Sequence, residues 1–220
     1  MIIKVLSLMR RGVMFEKPFS IKIKGNLKIG KDVQIGANVI FDGDVELSNG
    51  VLIEDNCRIS NAKILDHAHL KSNTFIEDSI IGSGSFAGPF ARVRGNTVMG
   101  NDCQIGNFVE IKSSSIGQFC RVNHMAFIGD SILEDGVTIG AGVITCNHDG
   151  KNINETHIKK EAYIGSNSNL IAPVVIGKKS TIGSGSTISK DVADNKLVIA
   201  RSHQIEVPGW KSPNFKRNEE

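Results

Sequence analysis

Four residues between positions 94 and 124 could together hold an anion and move a proton: Arg94, Glu110, Lys112 and His124. Two cations that become neighbours repel unless an anion or acid lies between them. Arg94 and Lys112, brought side by side, would therefore suit a phosphate; a solvated cationic edge is the other reading. Imidazole exchanges protons near neutral pH, which suits His124 to accept one, although a single outward histidine is more often an ordinary surface residue. Glu110 could orient that histidine, or form a cross-strand ion pair with Arg92. Ser166 and Ser184 are small enough to let a ligand lie flat along an edge. His67 and His69 raise zinc, but no third histidine lies near them, and no metal site is expected. The four cysteines (Cys57, Cys103, Cys120, Cys146) lack a Cys-x-x-Cys spacing and are expected as reduced, buried thiols.

Something must bring residues so far apart in the chain together, and the sequence contains a device for it. Aliphatic residues recur every six positions: Ile29, Ile35, Phe41, Leu47, Ile53, Ile59, then Ile64, Leu70, Ile76, and, after further one-residue shortenings, onward to Thr145. The series returns as Ile164, Leu170, Ile176, Ile182 and Ile188. A period of six fits neither a helix nor an alternating strand. Glycine follows many of these aliphatics and suits a tight bend, so each hexad reads as a short strand plus a corner. A second compact residue four places later, among them Cys57, Cys103 and Cys120, fills the interior.

Three hexads make one turn of a triangular solenoid of about 17–18 residues, with backbone groups satisfied by the turns above and below. The expected fold is all-β, about nine coils over residues 21–193, roughly 43 Å long at ~4.8 Å per coil. Residues 146–161 break the pattern and are expected as an inserted loop. Residues 1–20 are expected as a linker-like N-terminal arm and residues 194–220, with Trp210, Pro213 and a charged end, as a tail. Stacking by coil puts Arg94, Lys112, Gly129, Cys146 and Gly177 in one column. Asn107, His124 and Ala141 form a second, Arg92, Glu110 and Phe127 a third, and Ser166 over Ser184 marks another corner. Lys112, His124 and Ser166 are thus expected on different corners.

Composition narrows the partners. A net charge of +3 on 220 residues, with no basic cluster, argues against nucleic acid. No run of 18 apolar residues could cross a membrane, and the start lacks a cleavable leader pattern, so a cytoplasmic protein is expected. With 40% apolar residues and 22% charged ones the chain can bury a core.

The hexads resemble those of the hexapeptide-repeat transferases, and this resemblance implies that the coil is a left-handed parallel β-helix. The γ-class carbonic anhydrases, which share the repeat, use three histidines, and here the third is missing. From Gly88 onward the likeness becomes specific: Gly-Pro-Phe-Ala-Arg-Val-Arg (88–94), Gly-Asn-Phe-Val-Glu-Ile-Lys (106–112), His124, Ile-Gly-Ala-Gly-Val-Ile-Thr-Cys-Asn-His-Asp-Gly (139–150), Ile-Gly-Ser (164–166), Ala-Pro-Val (172–174) and Arg201 follow in order. These motifs resemble the acetyltransferase half of the bifunctional glucosamine-1-phosphate N-acetyltransferase / N-acetylglucosamine-1-phosphate uridyltransferase family, over about residues 8–213.

The resemblance implies an acetyl-CoA-dependent N-acetyltransferase of an amino-sugar phosphate, glucosamine 1-phosphate first, that needs no metal for acetyl transfer. His124 matches the proton acceptor and Glu110 its associated carboxylate. Arg94 and Lys112 match sugar-phosphate contacts, while Phe127 and Thr138 fall on the amino-sugar side. Ala141, Asn147, His148, Ser166, Ser184 and Arg201 fall on acetyl-CoA positions, with the Ala141 N–H an oxyanion donor. Family members are homotrimers with sites between chains. Phe127 stands where the family has Tyr, Thr138 where it has Asn, His148 where it has Tyr, and Ile153 near a family Lys. The uridyltransferase half has no counterpart here, so no nucleotide-sugar synthesis is expected. Another amino sugar or nucleotide-linked amino sugar as acceptor, and a catalytically silent trimeric scaffold, are the other readings.

Overall fold

The computed structural model describes residues 2–210. Its strands are short because each hexad extends for only a few residues before a corner, and every named strand pairing is parallel to the coil above or below. One face is an eleven-stranded sheet in strict chain order, from Met14–Phe15 to Leu197–Val198. Eleven rungs bound ten coils. The register keeps Ile105, Val122, Ile139, Ile164, Ile182 and Val198 in one inward column. The other two faces run continuously where Lys22–Ile29 and Ile40–Leu47 bend around a corner at Gly25 and Gly43. Gly25 has φ +127°, and a Cβ there would lie 2.4 Å from the Gly43 oxygen, so only glycine fits.

The repeated aliphatics form the core: Ile53, Ile59, Ile64, Leu70, Ile105 and Ile111 are wholly inaccessible. Trimming one to alanine removes methylenes from a stack with little freedom to collapse, a loss of about 2–5 kcal/mol. Cys57, Cys103 and Cys120 are buried fillers and Cys146 is partly exposed; all four are free. Burial pushes the Cys57 thiol up to about 11, and the contact with Cys103, with burial, pushes Cys120 higher still, so both stay as thiols.

The solenoid is longer than its hexads suggest. Met14–Phe15 already pairs with Gln34–Ile35, and Leu197–Val198 pairs with Thr181–Ile182, so coils extend into the expected arm (1–20) and tail (194–220). Before them, the helix Ile2–Arg10 lays Val5 and Leu8 into the core cluster. The interruption is shorter than 146–161: Cys146 ends a strand, and Thr156–Ile158 pairs on both sides. The excursion is therefore 147–155. It shifts the count, so Cys146 stands against Ile171 and Gly177 leaves the Arg94 column. No described helix is long and apolar enough to cross a membrane. Pro213 and the charged end lie outside the described residues.

Candidate active site

Ser166 and Ser184 each lie two residues beyond the inward Ile164 and Ile182, as His124 lies beyond Val122 and Ala141 beyond Ile139. Asn107, His124, Ala141, Ser166 and Ser184 therefore form one column along one edge of the prism, and His124 and Ser166 do not occupy different corners. The column count failed at the excursion, which lengthens one coil. Lys112 stands apart, on the adjoining face.

His124 ends the strand Arg121–His124 and is exposed. Its Nδ1 is hydrogen-bonded to Asn107 Oδ1, one rung away, and its backbone oxygen accepts from the Gly142 N–H at 3.1 Å. On the next rung, Ala141 O accepts from Asn167 N at 2.8 Å, while no described acceptor meets the Ala141 N–H. The corresponding Ala37 N–H is held by Asp55 Oδ1 at 2.7 Å. At the far end of the edge, Arg201 Nη1 donates to the Ser184 oxygen at 2.7 Å.

Across the corner, Arg94 and Lys112 are rung neighbours as expected, but acids already answer both. Arg94 Nε donates to Glu110 Oε1 at 2.7 Å, and Lys112 Nζ lies 3.4 Å from Asp130 Oδ2. Arg92 is 3.8 Å from Glu110 and 3.7 Å from Glu77, so the cross-strand pair is the looser contact. Glu110 thus bonds Arg94, and the side chain that meets the His124 ring within the chain is that of Asn107. Asp130 also accepts from Asn147 Nδ2, tying the start of the excursion to Lys112. Asn147 is then part of the charged ladder.

Phe127 stands half-buried between Glu110 and Ile144. A Cβ on Gly129 would lie 2.7 Å from its ring and 2.9 Å from Asn147 Nδ2, so the absent side chain lets ring and amide close together. Thr138, between Arg121 and Tyr163, belongs to the face on the other side of the His124 edge. His148 pairs with Ile153 across the excursion, and its Nδ1 accepts from Gly150 N at 3.2 Å. Asp149 folds that segment by accepting from Asn152 N at 2.7 Å and Lys151 N at 2.8 Å, bonds that hold its carboxyl far below the usual carboxylate range. Asn107, Asp130 and Asp149 are residues the motifs did not single out. Asn107 had a signal, its place in the His124 column; Asp130 and Asp149 act through local folding that spacing does not encode.

His69 Nε2 lies 2.7 Å from Glu54 Oε1. Burial alone would raise the Glu54 carboxyl, but the Ser72 N–H and O–H, with His69, outweigh it and hold it low. Among the described residues no three His, Cys, Asp or Glu side chains converge on a common point.

Comparison with known proteins agrees with the coil. The model for the bacterial transferase hexapeptide, six repeats, matches residues 155–190, and that for the GMPPB C-terminal domain matches residues 23–116. The bifunctional protein GlmU of Pseudoalteromonas atlantica is 41% identical over 206 residues, 94% of this chain and 46% of that protein. GlmU of Methylococcus capsulatus is 42% identical over 214 residues, 97% of this chain and 46% of that protein. Over most of its length this chain is similar to the hexapeptide-repeat transferases. It spans about half the length of the curated relatives it matches. Among solved structures, the UDP-N-acetylglucosamine acyltransferase of Campylobacter jejuni has a TM-score of 0.52 at 19% identity, covering 81% of this chain and 69% of that one. LpxA of Acinetobacter baumannii has a TM-score of 0.50 at 17% identity, covering 86% and 71%. The shared fold is the left-handed parallel β-helix.

Proposed function

We propose that this transferase is an acetyl-CoA-dependent N-acetyltransferase of an amino-sugar phosphate, with glucosamine 1-phosphate as first choice. The observation that carries the reading is that His124 and the Ala141 N–H are consecutive rungs of one edge, a proton acceptor beside an uncommitted donor. As the sugar amine attacks the thioester carbonyl, its lone pair forms the C–N bond and His124 Nε2 takes the amine proton. The Ala141 N–H steadies the developing oxyanion. When the C–S bond breaks, the imidazolium returns a proton to the departing thiolate.

Acetyl-CoA would lie along the same edge past Ser166 and Ser184 to Arg201, with Asn147 and His148 beside it. The acceptor's phosphate would take Arg94 and Lys112 from Glu110 and Asp130, with Phe127 and Thr138 near the sugar. We place the working site between chains of a homotrimer in the cytoplasm, with its thiols reduced. The exposed corner residues Phe90 and Phe108, stacked 5.3 Å apart, offer apolar surface beside His124 for such an assembly.

The deciding experiment measures thiol release from acetyl-CoA across amino sugars with and without a 1-phosphate, alongside the oligomeric state by light scattering. Release that depends on the phosphate supports the reading; release with none of the acceptors leaves the silent scaffold. Phe127 has no hydroxyl to offer a sugar, so a different amino sugar or a nucleotide-linked amino sugar is the second acceptor to try.

A further inference from the structure

We infer that Asn107 is the positioning residue that sets the tautomer of His124 and so makes Nε2 the basic nitrogen. The inference deepens the acetyltransferase reading and rests on it. A neutral imidazole carries its proton on one nitrogen, and the bond made by the other side of the ring decides which. Asn107 Oδ1 can only accept, so the Nδ1 it faces must carry the hydrogen. The lone pair is then left on Nε2, the nitrogen that bonds no described residue.

Two features make Asn107 a firm support. It is paired with His124 within the same ladder, and its own backbone oxygen accepts from the Met125 N–H at 3.1 Å, so its main chain is fixed to the strand that bears the histidine. The same column offers no substitute on the other side, where Ala141 has no polar side chain. Glu110, the carboxylate that could have served, is bonded to Arg94. The strand that bears His124 also carries Arg121, and on the adjoining face Glu110 is contacted by both Arg92 and Arg94.

The test begins with the free protein. Nitrogen chemical shifts of the His124 ring, assigned by loss of the signal in His124→Gln, report the tautomer without any substrate. Wild type is expected with its hydrogen on Nδ1, and Asn107→Ala with a mixture of both forms. Asn107→Asp places a carboxylate against Nδ1 and should raise the His124 titration midpoint by about one unit. Under turnover, Asn107→Ala should lower kcat about tenfold, the scale of one hydrogen bond, with KM for both substrates within about twofold. Asn107→Asp should restore much of that rate and move the acidic limb of the kcat profile upward. An unchanged tautomer in Asn107→Ala together with an unmoved midpoint in Asn107→Asp overturns the inference. Melting curves separate these outcomes from misfolding. Full activity in His124→Ala would instead remove the acetyltransferase reading, while the ring spectra would still decide what Asn107 does.

Discussion

The same corner of the prism is built in two ways. In the early coils its left-handed position is taken by Asn38, Asn56 and Asn73, the residue type other than glycine that tolerates positive φ best. In the next three coils it is taken by Phe90, Phe108 and Met125, at φ 57°, 57° and 48°, although all three side chains stay at least half exposed. Asparagine or glycine then returns, at Gly142 and Asn167. A bulky residue there costs about 1–2 kcal/mol that burial does not repay within the chain. The coils that accept this cost are those that carry Arg94, Lys112 and His124. The early stack is built for stability, and the middle stack departs from the cheapest corner where chemistry is expected.

The sharpest way to break that contrast is His124→Ala, which should lower turnover by about 10²–10⁴-fold while leaving the melting temperature almost unchanged, because the side chain is exposed. A melting loss without a rate loss would make the middle coils structural too. Next in size, Arg94→Ala or Lys112→Ala should raise KM for a phosphorylated acceptor by about 10–100-fold and leave KM for acetyl-CoA near its starting value, as expected for a charge-assisted bond to phosphate. Steady-state kinetics with each substrate varied in turn reads this directly. Smaller again, Phe127→Tyr should improve kcat/KM for glucosamine 1-phosphate about 2–10-fold, and Thr138→Asn should add to it. A fall on that sugar alone would mean the pocket suits a different acceptor.

The corner itself gives the finest test. Asn56→Phe should destabilise the fold by about 1 kcal/mol, and Met125→Asn should stabilise it by a similar amount while lowering activity, both read from denaturant midpoints and initial rates. If Met125→Asn left activity intact, the costly corner would have no part in function.

Much of the coil was legible because its cause is local. Each inward aliphatic has one possible side of the strand to face, so Ile105, Val122 and Ile139 could be stacked from spacing alone, and the Arg94–Lys112 neighbourhood followed. Two things were not legible. The excursion at 147–155 contains no repeat to count, so everything beyond it was assigned to the wrong corner, Ser166 included. The side-chain bonds that neutralise the cations depend on which rotamer reaches which rung. Spacing put Glu110 near both His124 and Arg92, and it bonds Arg94. Asn107 stands in the right column, and the bond it makes to the His124 ring depends on its rotamer, which spacing does not give.

The single edge that carries His124, Ala141, Ser166 and Ser184 also works as a measuring rod. Successive rungs stand ~4.8 Å apart, so His124 and the most distant of these serines are separated by a whole number of steps, roughly 14 Å over three. Distance along such an edge is not adjustable in small amounts; it changes only by inserting or deleting a coil. A stack of this kind would select its donor by length before any side chain makes a contact, and a lineage could move to a longer or shorter donor by gaining or losing one complete coil.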